Sequence, residues 1–135
     1  MRVSATEMPT DGEVEVTVRV ANAGDRAGDE VVQLYLHDPV ARVARPARLL
    51  VGFSRVHLQP GGACDVVFSV HADRTAYTGP DLERLVEPGE IQLLVGTSAT
   101  DERGRATVRM SGPTRIVGHG RRLDTPVRVV PVPAH

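Results

Sequence analysis

This chain of 135 residues has no Trp, no Lys and a single Cys, and its aromatic side chains are two Tyr and two Phe. So few rings cannot build the stacking platform that single-stranded nucleic acid needs, and they disfavour a sugar-stacking face for the same reason. With Cys64 alone no internal disulfide can form, and a chain of this length folds without one. No apolar run approaches the roughly 20 residues of a membrane span, and the first twenty residues lack the apolar segment of a signal peptide. As given, the chain reads as soluble, untargeted and cytoplasmic; the compartment of any longer parent stays open. Charge of one sign is also missing: 16 basic residues, all Arg, face 17 acids for a net charge of −1, which leaves no excess for nucleic acid. What remains, 41% hydrophobic and 24% charged, is the balance of one soluble globular domain spanning residues 1–135.

Residues 13 to 20 alternate without a fault, with Val14, Val16, Val18 and Val20 on one face and Glu13, Glu15, Thr17 and Arg19 on the other. That pattern is a half-buried strand. Burying each Val is worth ~1.5 to 3 kcal/mol, while ordering each residue's backbone costs roughly 1 to 2 kcal/mol, so the strand needs a sheet and a second layer. Asn22 to Asp29 is turn chemistry. A strand follows from Glu30 to His37, with Val32, Leu34 and Leu36 on one face and Val31, Gln33 and Tyr35 on a second face apolar enough to be partly covered. Residues 38 to 48, with two Pro, form a loop. From Leu49 to Leu58 the chain is apolar again, but Phe53 has the opposite parity to Val56 and Leu58, which predicts a β-bulge near Ser54 and Arg55. Gln59 to Gly62 then predicts a hairpin into a strand with Cys64, Val66, Phe68 and Val70 inward. Residues 71 to 89 read as irregular apart from a short strand at Leu85 and Val86. Ile91, Leu93 and Val95 mark another strand, and Val108 and Met110 the inward face of one from Arg105. No helical period appears. In the tail, Val127 and Val129 alternate, while Pro131 and Pro133 confine it to a sheet edge or surface strap. Roughly seven short strands between Gly and Pro turns predict an all-β, antiparallel, immunoglobulin-like sandwich, with a core over 13–112 and an extension over 113–135. The immunoglobulin Cys and Trp marks are absent, which favours the fibronectin type III-like variety.

No constellation carries catalysis. Acid/base hydrolysis of sugars needs two carboxylates at a fixed separation, whereas Asp25, Asp29, Glu30, Asp81, Glu83, Glu87, Glu90, Asp101 and Glu102 fall in turns or on outward faces and read as solvated charge. The Asn22 to Glu30 loop has calcium-like oxygens without EF-hand spacing. His37, His57, His71, His119 and His135 show no metal-ligand pairing, so no metal site is assigned. Cys64 reads as a small inward hydrophobe. The loop from 38 to 48 concentrates Arg42, Arg45 and Arg48, whose forks suit carboxylates and phosphates. It is either a solvated basic loop or an interface with another protein surface.

The run Asn22-Ala-Gly-Asp-Arg-Ala-Gly-Asp-Glu-Val-Val-Gln-Leu-Tyr-Leu36, with Asp38-Pro39, Arg45-Pro46, Leu50-Val-Gly-Phe-Ser-Arg-Val56 and the Pro60-Gly61 turn, resembles the C-terminal fibronectin type III-like domain of family 3 glycoside hydrolases. Val86-Glu-Pro-Gly-Glu90 and Leu94-Val-Gly-Thr-Ser98 resemble that domain's closing strands, so the resemblance covers roughly Val14 to Val129. It implies a parent of the β-glucosidase or β-xylosidase type, a retaining exo-acting hydrolase without cofactor, whose catalytic Asp and acid/base residue lie upstream on other domains. It also implies that this chain is a non-catalytic accessory packing on those domains in cis; the start just before the first strand departs from the family's pattern and reads as that of an excised or split-off module. Gly62-Ala63 departs from the polar or acidic residue more common there, a difference confined to the turn. Tyr35, Asp38, Arg45, Pro46 and Phe53 fall on motif positions, none of them catalytic in the family. The candidate interdomain interface is therefore Tyr35, Asp38, Arg42, Arg45, Pro46 and Arg48, with self-association as a further expectation. Two readings compete: a carbohydrate-binding module stacking sugar on Tyr77 or Tyr35, and a self-contained enzyme.

Overall fold

The strict alternation over Glu13–Ala21 is satisfied only if one face of that strand is covered. The computed structural model, which describes residues 1–37, 48–78, 83–98, 101–118, 121 and 123–132, covers it with a second sheet. Twelve strands occur among the described residues: β1 (Arg2–Val3), β2 (Glu7–Pro9), β3 (Glu13–Ala21), β4 (Gly28–His37), β5 (Leu49–Leu58), β6 (Ala63–His71), β7 (Tyr77–Thr78), β8 (Arg84–Val86), β9 (Gly89–Ser98), β10 (Asp101–Ser111), β11 (Arg115–Val117) and β12 (Val127–Pro131). They form a four-stranded sheet in the order β1-β3-β6-β12, a five-stranded sheet β2-β10-β9-β4-β5 and a small sheet β11-β8-β7. This is an all-β sandwich of the immunoglobulin and fibronectin type III kind. The core lies between the two larger sheets: Val14, Val16, Val66, Phe68 and Val70 meet Val32, Leu34, Leu36, Ile91, Leu93, Val95, Val108 and Met110. Val86 and Val117 of the small sheet join that cluster. No helix among the described residues is long and apolar enough to cross a membrane.

The first twelve residues, to which the sequence pattern assigns no strand, contribute two. The chain crosses between the sheets after β1, and Met8 on β2 enters the core at 2% exposed. β2 runs parallel to β10, whereas the other described pairings are antiparallel. Residues 72–75, expected to be irregular, form one 3₁₀ turn whose first free N–H, that of Asp73, is accepted by His71 Nδ1 at 3.0 Å.

Two further expectations change. The Gln59 to Gly62 turn does not close a hairpin: β5 pairs with β4, while β6 pairs with β3 and β12 in the opposite sheet. Its geometry gives the reason. Gly62 N–H donates to the Gln59 carbonyl at 2.8 Å with Pro60 at the second position and Gly61 at φ +74°, a type II pattern, which splays the flanking strands rather than matching the twist of a hairpin. The bulge also moves. Leu34 is paired with Gly52 and Tyr35 with Leu50, so the extra residue is Val51 rather than Ser54 or Arg55. Val51 and Val56 are both buried while Phe53 is 64% exposed, so the parity conflict lay between the two Val residues and Phe53 points out. Gly52 stands beside the bulge because a Cβ there would lie 2.9 Å from the fully buried Phe68 ring.

Candidate docking surface

Inserting one residue at Val51 places Leu50 and Phe53, three apart in sequence, on one face of β5, opposite Tyr35 and Gln33 of β4. Leu50 is 44% and Phe53 64% exposed, so the outer face of the five-stranded sheet carries apolar side chains along its β5 edge. Tyr35 is half-buried and its hydroxyl donates to Gln33 Oε1 at 2.5 Å; Arg48, half-buried, leads into β5. Of the expected interface, these two are the members whose surroundings are described, and Asp38, Arg42, Arg45 and Pro46 lie outside the described residues. Leu50 and Phe53 were not singled out for this surface from the sequence. The parity break announced a bulge, but only its position shows which side of the sheet Phe53 takes.

Further along the same two strands, Asp29 accepts from Arg55 Nε and Nη2 at 3.0 and 2.7 Å and lies 2.5 Å from His57 Nδ1. The His57 hydrogen bond first, and the Arg55 guanidinium with it, hold the Asp29 carboxyl below the usual carboxylate range. That pairing occupies the main acid of the loop in which calcium was weighed. Asn22 is occupied as well, donating to the carbonyls of Arg26 at 2.7 Å and Leu58 at 3.1 Å while accepting from Gly24 N–H. Among the described residues no group of three or more His, Cys, Asp or Glu side chains is arranged to hold a metal ion.

The opposite side of the β5 edge is closed by the chain's tail. β12 pairs with β6 from Val127↔Phe68 to Pro131↔Cys64, and every one of its residues is exposed. Arg74 ties this segment to β5 by donating to the carbonyls of Leu123 and Val51. Thr125 sits against Gly52.

An open cleft of about 240 Å³ between Val18, Val20, Val32 and Val95 has Glu30 as the sole carboxylate in its lining, where glycoside hydrolysis needs two. Cys64 is 4% exposed, and burial, with the Asp65 charge beside it, pushes its thiol up, away from the reactive thiolate. Tyr77 is 8% exposed and offers no ring to a sugar, which removes one of the two stacking faces weighed from the sequence.

A family profile described as the fibronectin type III-like domain matches residues 30–99, more than half of the chain. The chain belongs to that family. Among curated proteins, the fibronectin type III-like chain is 40% identical over 110 residues to a β-glucosidase of Rhizobium radiobacter, and 37% identical over 101 residues to a putative β-xylosidase of Formosa agariphila. These matches cover 81% and 75% of the chain but 13% of each relative. Among solved structures, the β-glucosidase of Listeria innocua superposes with a TM-score of 0.76 at 33% identity, over 82% of this chain and 16% of that one. The β-glucosidase of Kluyveromyces marxianus gives 0.75 at 30% identity, over 85% and 14%. The fibronectin type III-like chain is thus the counterpart of one small region of family 3 β-glucosidases and β-xylosidases, and spans about a seventh of their length.

Proposed function

We propose that this chain is a non-catalytic accessory domain of a family 3 glycoside hydrolase, of the β-glucosidase or β-xylosidase type, which packs against the catalytic domains in cis and stabilises them. The observation that carries the reading is the share of the match: most of this chain corresponds to about a seventh of enzymes that hydrolyse glycosides as single, much longer polypeptides. The described residues support it in two ways. The cleft between Val18, Val20, Val32 and Val95 has no carboxylate pair, and in the smaller one lined by Asp29 and Glu30 the Asp29 carboxylate is held by Arg55 and His57; a restricted part of the surface exposes apolar side chains beside a strand whose outer face includes Tyr35. In this role the interface extends from Tyr35 and Arg48 onto the sequence segment that contains Asp38, Arg42, Arg45 and Pro46, whose Arg forks suit carboxylates on the partner. No cofactor enters the proposal.

The test is to mix this chain with a β-glucosidase relative from which the corresponding segment has been removed. Association, together with a rise in the truncated enzyme's melting temperature, is the expected result. No association and no rise would remove the accessory role.

A further inference from the structure

We infer that the β5 edge and the segment from 123 to 131 form one docking surface whose occupant is the catalytic portion of a glycosidase on the same polypeptide. This deepens, and rests on, the accessory reading above. Nine large apolar side chains are exposed among the described residues; six of them, Leu49, Leu50, Phe53, Leu123, Val127 and Val129, lie on β5 or on the 123–131 segment, Val130 of that segment stands beside Asp65 on the outer face of the four-stranded sheet, and the other two are Met1 and Ile116. Phe53 at 64% and Leu50 at 44% lie on β5, and Leu123 at 63% and Val129 at 46% on the segment that Arg74 ties to it. Apolar surface concentrated in this way marks an interaction site rather than ordinary scatter.

The two meet along a seam. Arg74 holds the Val51 and Leu123 carbonyls together, and Thr125 packs beside Gly52, so side-chain contacts join the two halves of the surface. Strand addition by a second copy is disfavoured on both edges: the Val51 carbonyl is taken by Arg74, and β12 is bounded by Pro126 and Pro131, which lack N–H donors. Side-chain docking remains. A tethered partner is the occupant with the greatest advantage, because linkage supplies an effective concentration of millimolar order for short linkers, and the relatives carry about six-sevenths of their length outside this region. The outer face of the four-stranded sheet is no rival, since Arg19 with Asp65 and Arg128 with Glu15 pair across it within 2.9 Å.

The experiment replaces the matching segment of the full-length Rhizobium radiobacter β-glucosidase with this chain. Phe53→Glu, Leu123→Glu and, as an equally exposed control away from the seam, Ile116→Glu are then introduced. Phe53→Glu and Leu123→Glu should each speed thermal inactivation of the chimera at least tenfold, while Ile116→Glu leaves it unchanged and all three isolated chains melt as the parent chain does. Equal effects of all three, or none from the seam variants in a chimera more stable than the enzyme lacking the segment, would overturn the surface and leave the accessory reading standing. A chimera no more stable than the enzyme lacking the segment would overturn both. A dimer of the isolated chain that Phe53→Glu dissolves would assign the seam to a second copy and overturn the proposal.

Discussion

Asp73 is the most deeply buried acid among the described residues, with 5% of its side chain exposed. Arg115 answers it at 2.8 Å and with the same Nη1 donates to the Thr10 carbonyl at 2.7 Å, while Thr10 Oγ1 donates to the Pro113 carbonyl. One pair thereby joins the N-terminal strands, the 3₁₀ turn and β11. Removing Arg115 takes the guanidinium from the Asp73 carboxylate and leaves His71 Nδ1 beside it at 3.4 Å, whereas breaking a fully buried pair costs about 3 to 5 kcal/mol. Because Arg115 keeps 30% of its side chain exposed, Arg115→Ala should cost about 2 to 3 kcal/mol by urea denaturation. Gly52→Ala is the complementary test of packing. Its Cβ would meet the Phe68 ring, which is fully buried and has no room to retreat, so a loss of roughly 1 to 3 kcal/mol is expected in the same measurement. Asp29 gives the pH dependence. Its folded value lies below the ordinary 3.8, so the ionised carboxylate favours the folded state at neutral pH, and that contribution is lost as pH falls through the folded value. The drop in melting temperature between neutral and strongly acid solution should accordingly be smaller in Asp29→Asn than in the parent, and an equal drop would discount the cluster.

At the scale of elements, the segment from 123 to 131 depends on two kinds of contact, the β12–β6 ladder and the Arg74 clamp. Arg74→Ala should therefore speed amide exchange along β12 while leaving β3 and the interior of β9 protected; unchanged exchange in β12 would mean that the ladder suffices alone. The strands of the core were legible because period-two alternation is dictated by burying one face, which is why Val14 and Val16, Val32, Leu34 and Leu36, and Ile91, Leu93 and Val95 fall inward where the pattern placed them. What the pattern could not supply was partnership. A Pro-Gly turn is compatible with a hairpin and with a crossing between sheets, and only the conformation at Gly61 separates the two. The bulge was legible in existence but not in place, since a parity break constrains a strand without saying which apolar residue is the one left outside. β1 and β2 are too short to show a period at all, and Met8 is anchored by contacts distant in sequence.

For the whole molecule, the absences in the sequence bear on function as much as the patterns do. The scarcity of rings is sharpened by the fold, which buries Phe68 and Tyr77 and engages the Tyr35 hydroxyl with Gln33. Titration with xylo- or cello-oligosaccharides at millimolar concentration should accordingly leave the amide chemical shifts of the chain in place; shifts centred on Tyr35 and Phe53 would favour a carbohydrate-binding module instead. The candidate surface was only half visible from the sequence: Tyr35 and Arg48 follow from the pattern, whereas Leu50 and Phe53 share a face only through the Val51 bulge, and the Leu123 carbonyl is tied to β5 only through Arg74. The most direct test of the accessory role is hydrolysis of an aryl glycoside by the purified chain, by a β-glucosidase relative lacking the matching segment, and by their mixture. The account predicts no hydrolysis by the chain alone and activity that survives heating longer in the mixture than in the truncated enzyme by itself. Hydrolysis by the chain alone, abolished by a point substitution within it, would contradict the account.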